Sequence, residues 1–352
     1  MAKTHTTLYP KISDFENIFW AWRKARRGKR YKPAAASFEQ QLDLELMSLH
    51  HELMTETWQA GGYRSFTVHE PKRRKISAAP FRDRIVHHAL IHVIEPIYER
   101  KFIYDSYANR VGKGTHAALD RCTHFMRRFK YVLQCDVQQF FPSIDHEILK
   151  ATLARTITCP STLRLCDKII DSGIGVLSEE YDMHYFQGDD LLAVSRPRGL
   201  PIGNLTSQFW ANVYMNELDQ FVKHTLRCPA YVRYVDDFLL FADDKLTLDQ
   251  WRAEIITFLQ SLRLTLHENR AQPCPVERGI PFLGFTVYPD YRRLKRSKGI
   301  TYQRHLKTLY HGCQTGEITR EQGRASVMAW LGHVQHGDTY RLQRKLFREL
   351  IP

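Results

Sequence analysis

Two segments near the middle of the chain carry the apolar pattern of β-strands. Tyr131–Val137 is a short β-favouring run that closes on Asp136, and Tyr231–Ala242 contains two apolar runs on either side of Val235-Asp236-Asp237. Two such runs around a tight turn predict an antiparallel hairpin. Segments 264–268 and Phe282–Tyr288 predict two further strands.

Helical spacing of apolar residues marks most of the remaining chain. One helix is predicted over 13–27, with Ser13 as N-cap and Glu16 completing a capping box. Another is predicted over 37–60, capped by Ser37 and closed by Gly61-Gly62. Further helices are predicted over 82–100, 146–157, 203–225, 249–262 and after residue 290, with an extended segment at 66–76 and a hairpin-like polar insertion at 171–198.

The order of these elements is strand, helix, helix, strand pair, helix and strand. This order predicts an α+β fold in which an antiparallel sheet carries its helices on one side. The chain has 352 residues, and 43% of them are apolar. It can therefore bury a large core, and one to three domains are expected.

The net charge of the chain indicates what kind of molecule it binds. The excess of Lys and Arg over Asp and Glu gives a net charge of +13. This favours a polyanion, because each neutralised phosphate releases counterions, although a merely basic surface is the alternative. Seven cysteines without a CxxC pair indicate free thiols in a reducing compartment. No signal-peptide pattern or membrane-spanning apolar stretch is found, so a cytoplasmic protein without a membrane partner is expected.

The turn of the predicted hairpin carries two adjacent carboxylates, Asp236 and Asp237, between strands rich in aromatic and apolar residues. Turns favour aspartate, which accounts for one of the two. The pair is harder to account for, because like charges this close repel and raise a pKa unless a cation neutralises them. A divalent metal ion is the natural neutralising cation.

Asp136 is the predicted third member of this carboxylate site, since it closes a neighbouring strand. With one aspartate of the pair it can hold two Mg²⁺ ions, or Mn²⁺, about 3.5–4 Å apart. Oxygen ligands suit Mg²⁺, which also keeps substrate phosphates in its shell. Phosphoryl transfer needs mainly positioning and charge neutralisation, so a few carboxylates suffice. The nearby Asp145 is predicted instead to cap the following helix.

These motifs resemble those of reverse transcriptases of bacterial retroelements. DVQQFFPSID, which starts at Asp136, and YVDD, which ends at Asp237, carry the resemblance. Further blocks occur in family order at Lys72–Val86, Ser106–Gly114, Leu200–Gly203 and Gly279–Gly284, so the match runs from about residue 68 to 290. The resemblance implies a right-hand polymerase architecture with a basic helical N-terminal extension (1–67), fingers (68–130), a palm (131–290, with the insertion 171–198) and a short basic helical thumb (291–352).

The resemblance also implies substrates and residue roles. The substrates are an RNA template, a DNA primer and deoxynucleoside triphosphates. Asp136 and Asp236 bind both metal ions with help from the Val137 carbonyl, and Asp237 supports the site. Phe141 matches the residue that excludes a ribose 2′-hydroxyl, with core packing as the alternative. The other implied contacts are Arg74, or else Arg73 or Lys75, with the triphosphate; Ile202 and Gly203 with the nucleotide; and Arg110, Tyr234 and Gly284 with template or primer.

Position 202 departs from the usual family pattern, which is QGxxxSP. The chain has IGNLTSQ over 202–208. An apolar Ile202 constrains base-pair geometry less than glutamine does, so lower fidelity is expected, with a harmless packing change as the alternative. This form resembles the reverse transcriptases of diversity-generating retroelements, which copy a template-repeat RNA with adenine-directed errors. That class implies a small basic helical accessory protein and a cognate structured RNA as partners.

A second departure lies at 264–270, where many relatives have a lysine that protonates pyrophosphate. This chain offers His267 or Arg270 there. Other interpretations also remain open. The chain can be the reverse transcriptase of another bacterial group, such as an anti-phage defence or retron-like enzyme. An inactive RNA-binding scaffold is disfavoured by the intact aspartates, and a palm-fold nucleotide cyclase by the fingers, primer-grip and thumb blocks.

Overall fold

The structure is a computed structural model that describes residues 5–69 and 73–348. Its N-terminal part is mostly helical and contains one β-hairpin. In chain order the elements are α1 (Tyr9–Ser13), α2 (Phe15–Ala25), α3 (Pro33–Gln40), α4 (Leu42–Met54), β1 (Arg64–Val68), β2 (Arg74–Ala78), α5 (Phe81–Glu99) and α6 (Thr115–Met126). The extended segment predicted at 66–76 and the helix predicted at 82–100 are confirmed as the β1–β2 hairpin and α5.

The cap predicted for the first long helix is wrong. Ser13 ends α1, and its hydroxyl donates to the Tyr9 carbonyl. Asp14 caps α2 by accepting a hydrogen bond from the Asn17 N–H at 3.4 Å. A carboxylate at this position also interacts favourably with the positive end of the helix dipole, which a serine hydroxyl does not do.

The single helix predicted over 37–60 is two helices, α3 and α4, separated at Gln41. Ser37 lies inside α3, which begins at Pro33 because the fixed φ of proline suits the first helical position. The second helix ends at Met54, before the glycine pair that was expected to close it.

The middle of the chain supplies a four-stranded antiparallel sheet. In chain order its elements are β3 (Tyr131–Asp136), α7 (Phe140–Ser143), α8 (His146–Ala154), α9 (Pro160–Asp171), α10 (Leu205–Gln220), a π-helical turn (Phe221–Thr225), β4 (Tyr231–Tyr234), β5 (Asp237–Ala242), α11 (Lys245–Ser261) and β6 (Cys274–Pro275). The strand order is β4-β5-β3-β6. The α+β class, the predicted hairpin and the helices at 146–157, 203–225 and 249–262 are confirmed, with small shifts of their ends.

The central sheet is covered on both faces, which corrects the expectation of helices on one side. Successive strand residues point to opposite faces. Leu133 and Leu240 pack into the large core with the helices α5, α8 and α10, while Val132 and Phe241 pack into a second cluster with α6. Both sets are fully buried, which explains why the strand sequences are almost continuously apolar.

The C-terminal part begins with a three-stranded sheet and ends in helices. In chain order the elements are β7 (Ile280–Phe282), β8 (Phe285–Val287), β9 (Arg292–Leu294), α12 (Arg296–Thr315), α13 (Arg320–Val334) and α14 (Tyr340–Arg348). The strand predicted at Phe282–Tyr288 is broken, because Leu283 and Gly284 both have positive φ and turn the chain into a hairpin. The three helices have their own small apolar cluster, centred on Tyr302, Leu306 and Leu346.

Two further predictions of strands are wrong. The insertion at 171–198 contains no hairpin, and its regular structure consists of two 3₁₀ turns, Ser178–Glu180 and Leu191–Ser195. The segment 264–268 contributes a single bridge, between Leu266 and Val137. Side-chain pattern alone indicated extended chain in both places, but extended chain forms a strand only where a partner strand lies beside it. The helices α6 and α9 were not predicted.

Among the described helices, none is both long enough and apolar enough to cross a membrane.

Candidate active site at the β4–β5 hairpin

The sheet brings the three predicted catalytic aspartates together. In the β3–β5 register Asp136 lies opposite Asp237, and Asp236 lies in the turn that precedes β5. The Val137 N–H donates to the Asp236 carbonyl at 3.3 Å. Asp136 and Asp237 therefore form a non-hydrogen-bonded pair, in which side chains approach most closely, with Cβ atoms about 4.5–5.5 Å apart. Like charges at such a position destabilise a sheet, so their presence needs a functional explanation.

The turn that carries Asp236 is strained. Tyr234 pairs with Asp237, so the loop has only two residues, Val235 and Asp236. Val235 has φ of 60°, in the left-handed region that a β-branched residue disfavours. Glycine is the usual residue at such a position, and a non-glycine residue there costs about 1–3 kcal/mol. Local propensity therefore opposes this turn, and surrounding contacts have to hold it.

The Asp237 carboxyl is electrostatically perturbed. Burial raises its pKa to about 7, and the neighbouring Asp136 and Asp236 act in the same direction. A hydrogen bond from Gln134 Nε2 to Asp237 Oδ1 at 3.1 Å opposes the rise. The two neighbouring carboxylates thus destabilise the ionised form of Asp237, and a nearby cation would relieve this repulsion.

Gln134 was missed in the sequence, although it lies two residues before Asp136 and so on the same face of β3. Its amide donates to Asp237 and also to the Pro281 carbonyl of β7 at 3.1 Å. This one side chain joins the carboxylates to the β7–β8 hairpin. A polar residue within an otherwise apolar strand was the available signal.

The donor chemistry of the site fits Mg²⁺. Carboxylate oxygens are the preferred ligands of this ion, which is usually held by one or two carboxylates together with substrate phosphates. Within residues 5–69 and 73–348 no group of three or more His, Cys, Asp or Glu side chains is arranged to hold a metal ion. The Val137 N–H donates to Asp236, whereas the backbone groups of residues 136 and 138 bond to residues 267 and 265 on the other side of the strand. Because the N–H and C=O of one strand residue point to the same side, the Val137 carbonyl faces the β4–β5 hairpin.

Asp145 is confirmed as a helix cap. It accepts a hydrogen bond from the Ile148 N–H at 3.0 Å at the start of α8 and is almost fully buried. An ion pair with Arg263 at 2.6 Å occupies the other carboxylate oxygen. Both oxygens are thus used by the fold.

Backbone hydrogen bonds hold the residues that were predicted to contact the nucleotide. The Leu200 N–H donates to the Phe141 carbonyl at 2.9 Å, and the Ser77 N–H of β2 donates to the Ile202 carbonyl at 2.8 Å. Phe141 and Ile202 are each half-buried. Gly203 has φ of 114°, and a Cβ there would lie 2.8 Å from the Ile76 side chain, so only glycine fits. Strand β2 is therefore packed directly on this segment.

Asn204 fixes this packing and was also missed as a functional residue. Its amide accepts from the Ala79 N–H at 3.0 Å and donates to the Ser77 carbonyl at 2.8 Å. The side chain is consequently unavailable to cap α10, which it precedes.

Arg74, at the start of β2, is exposed, and so is Arg73. The Lys75 ammonium lies 3.7 Å from the Glu179 carboxylate of the insertion. Lys72 lies outside the described residues, and the triphosphate contact of Arg74 stays a prediction.

Arg110 is not placed for the predicted template contact. Its side chain is only 6% exposed and is paired with Glu99 at 2.9 Å. It also donates to the carbonyls of Ile103 at 2.6 Å and Ser106 at 3.0 Å. The guanidinium thus holds the 103–110 loop together, and its hydrogen-bonding capacity is taken up by the protein.

The two predicted primer-side residues lie near the hairpin and the C-terminal helices. The Tyr234 hydroxyl is 3.1 Å from the Thr115 hydroxyl at the start of α6. Gly284 has φ of 90° in the β7–β8 turn, and its carbonyl accepts from the Lys295 N–H at 3.0 Å. A Cβ at Gly284 would meet the His333 ring at 3.9 Å. Both positions line the predicted palm–thumb junction, and their contacts with primer stay predictions.

Of the two candidate proton donors, His267 is the one beside the carboxylates. The His267 ring Nε2 lies 3.9 Å from Asp136 Oδ2, and the His267 backbone N–H donates to the Asp136 carbonyl at 3.0 Å. Arg270 lies exposed in the loop that follows. Whether His267, Arg270 or neither protonates pyrophosphate stays a prediction.

Comparison with known proteins identifies the family. The profile described as "Reverse transcriptase (RNA-dependent DNA polymerase)" matches residues 68–287. The chain therefore belongs to the reverse transcriptase family, and its fold is the right-hand polymerase fold of that family.

The relatives include both bacterial and intron-encoded proteins. Protein YkfC of Escherichia coli is 25% identical over 69% of this chain and 71% of the relative. The Retron Ec73 reverse transcriptase of Escherichia coli is 24% identical over 64% of this chain and 69% of the relative. An uncharacterized 91 kDa protein in the cob intron of Schizosaccharomyces pombe is 28% identical over 77% of this chain, which spans only 39% of that protein.

Among solved structures, the truncated apo telomerase of Candida tropicalis is similar with a TM-score of 0.47 and 12% identity, over 70% of this chain and 59% of that one.

Proposed function

We propose that this protein is an RNA-directed DNA polymerase that extends a DNA primer on an RNA template. The observation that carries the proposal is the facing pair Asp136 and Asp237, with Asp236 in the adjoining two-residue turn. Membership of the reverse transcriptase family supports the same reaction. The division into N-terminal extension, fingers, palm and thumb at residues 67, 130 and 290 belongs to this proposal.

In this proposal Asp136, Asp236 and the Val137 carbonyl hold two Mg²⁺ ions, and Asp237 supports them. When bound, such ions lower the pKa of the primer 3′-hydroxyl and neutralise charge on the triphosphate. The protein residues orient the substrates. Gln134 fixes Asp237, the IGN segment and β2 form one wall of the nucleotide site, and Phe141 contacts the sugar.

The test is primer extension by the purified protein on a defined RNA, with sequencing of the product. We expect DNA synthesis from deoxynucleotides that stops when Mg²⁺ is chelated and resumes when it is restored. Product made equally well without RNA template would contradict the proposal, as would a folded protein that makes no product. Sequencing gives the identity of the product and its errors in one experiment.

We further propose that the enzyme is error-prone and serves a diversity-generating retroelement, with a small basic helical accessory protein and a structured RNA as partners. The feature that supports this is Ile202. Its backbone is fixed by Ser77, while its half-buried side chain offers an incoming base pair no hydrogen bond. A second candidate is a retron-like or defence enzyme, favoured by the similarity to the Retron Ec73 reverse transcriptase. Neighbouring DNA distinguishes them, since a near-repeat pair differing at adenines is expected only for the first.

Replacing Ile202 with glutamine is expected to raise fidelity. A polar side chain beside the nascent pair restores a geometric constraint, so misincorporation opposite template adenine should fall several-fold, since one hydrogen bond contributes about 0.5–1.5 kcal/mol. The measurement is the error spectrum of cDNA from one RNA copied by both proteins. Ile202→Leu keeps the apolar contact and is the matched control. An error spectrum that is the same in all three proteins would reduce Ile202 to packing.

A further inference from the structure

Arg233 lies in β4, two residues before Val235, and its side chain is fully buried. Its guanidinium donates to both carboxylate oxygens of Asp219, at 2.7 and 2.6 Å. It also donates to Asn212 Oδ1 at 3.2 Å, to Ser106 Oγ at 3.0 Å and to the Val235 carbonyl at 2.9 Å. One side chain thus joins helix α10, the 103–110 loop and the turn that carries Asp236.

The contact with Val235 is the one that bears on the carboxylates. Val235 holds a left-handed backbone conformation that its own side chain disfavours, and it directly precedes Asp236. Its carbonyl is part of the peptide group that links the two residues. A hydrogen bond from a charged donor to this carbonyl is among the stronger kinds in proteins. The hydrogen bond from Arg233 therefore fixes the orientation of the peptide group between Val235 and Asp236.

Charge balance alone does not explain this arrangement. Asp219 neutralises Arg233, and both are fully buried. Beyond its two bonds to Asp219, the guanidinium makes three more, to Asn212, Ser106 and Val235. Only the planar guanidinium of arginine offers enough donors for all of them, and the ammonium of lysine does not. A buried ion pair is often replaceable by apolar residues without loss of stability. Neutralising Arg233 needs only Asp219, whereas the bond to the Val235 carbonyl acts on the geometry of the turn.

We propose that Arg233 is a positioning residue for polymerisation, whose guanidinium holds the Val235-Asp236 turn so that the Asp236 carboxylate lies beside Asp136 and Asp237. This inference rests on the proposed polymerase function. If the wild-type protein makes no cDNA, the function fails; if the wild type is active and the variants below are unaffected, only the role of Arg233 fails.

The experiment measures kcat, KM for deoxynucleotide, the Mg²⁺ concentration for half-maximal activity, and thermal stability. Arg233→Lys keeps the charge and loses the fork. The double variant Arg233→Met/Asp219→Leu replaces the ion pair with apolar residues of similar size. Arg196→Lys changes another arginine, paired with Asp189 in the insertion, and is the control. A third test adds Val235→Gly to Arg233→Lys, because glycine adopts the turn conformation without strain.

We expect Arg233→Lys to lower kcat by about 10- to 100-fold, the range for misplacement of a reacting group by up to about 1 Å. It should raise the half-maximal Mg²⁺ concentration and change KM little. The double variant should regain stability but not kcat, and Val235→Gly should restore part of the kcat lost in Arg233→Lys. The idea is overturned if the double variant recovers both stability and kcat, or if folded Arg233→Lys matches the control in kcat and Mg²⁺ dependence.

Discussion

Replacing Asp236 with asparagine is expected to reduce RNA-templated DNA synthesis by about 1,000-fold or more. The change removes one negative charge at the position where two cations are proposed to be held, and charge stabilisation of this kind contributes several kcal/mol. Asp136→Asn should have an effect of the same size. Asp237→Asn should reduce activity less, because in this proposal Asp237 supports the site and does not itself bind both ions.

The measurement is the steady-state extension rate on one primer–RNA pair at saturating Mg²⁺. Asp243→Asn is the matched control, since Asp243 is an exposed carboxylate just beyond β5. Thermal unfolding of every variant separates lost chemistry from lost fold. Because Asp136 and Asp237 face each other across the sheet in the wild type, Asp136→Asn should leave the metal-free protein as stable as the wild type or more stable. Full extension by Asp236→Asn would falsify the proposed metal site.

Replacing Phe141 with alanine is expected to let ribonucleotides into the product. Phe141 is half-buried and its backbone is held by Leu200, so part of the ring stays exposed and can contact a sugar. Removing the ring opens space for a 2′-hydroxyl. We expect the preference for deoxynucleotides to fall on the order of 100-fold, since a cavity that merely fits the added hydroxyl discriminates weakly.

The measurement compares kcat/KM for dCTP and CTP on the same template. Phe140→Ala is the informative control, because Phe140 is the adjacent ring but is almost fully buried. It should lower stability by about 3–5 kcal/mol, as is usual for a buried Phe→Ala change, and leave sugar preference unchanged. Equal preference in wild type and Phe141→Ala would leave the Phe141 ring with a packing role only.

The close placement of the three aspartates was predictable because its signal is local, and their catalytic role stays a prediction. Two adjacent carboxylates in an apolar hairpin, and a third at the end of a strand, conflict with folding unless a cation is present. The same reasoning separated Asp145 correctly, since its position before a helix gives it a capping role. The central hairpin was equally visible, because two apolar runs flank a short polar turn, although the strained conformation of Val235 was not predictable.

Other site residues depend on contacts that no local pattern specifies. Gln134, Asn204 and Arg233 act on residues between 2 and 147 positions away. Their partners become apparent only when the strand register and the packing of β2 are known. Arg110 lies in a matching motif, but its side chain is paired with Glu99, which no local pattern indicated. The insertion at 171–198 was misjudged because alternating polarity occurs in irregular surface segments as well as in strands.

The separate apolar cluster of helices α12–α14 has a consequence for how such a protein can change. Tyr302, Leu306 and Leu346 pack with one another, and neither of the two clusters that cover the sheet includes them. Changes at these three side chains are therefore expected to be absorbed within the helices, whereas His333 of α13 packs on Phe285 of the second cluster and links the helices to the sheet. The residues around the carboxylates are thus under strict geometric constraint, and the apolar cluster of the three helices is less constrained. Variation between related enzymes is expected to concentrate in this cluster.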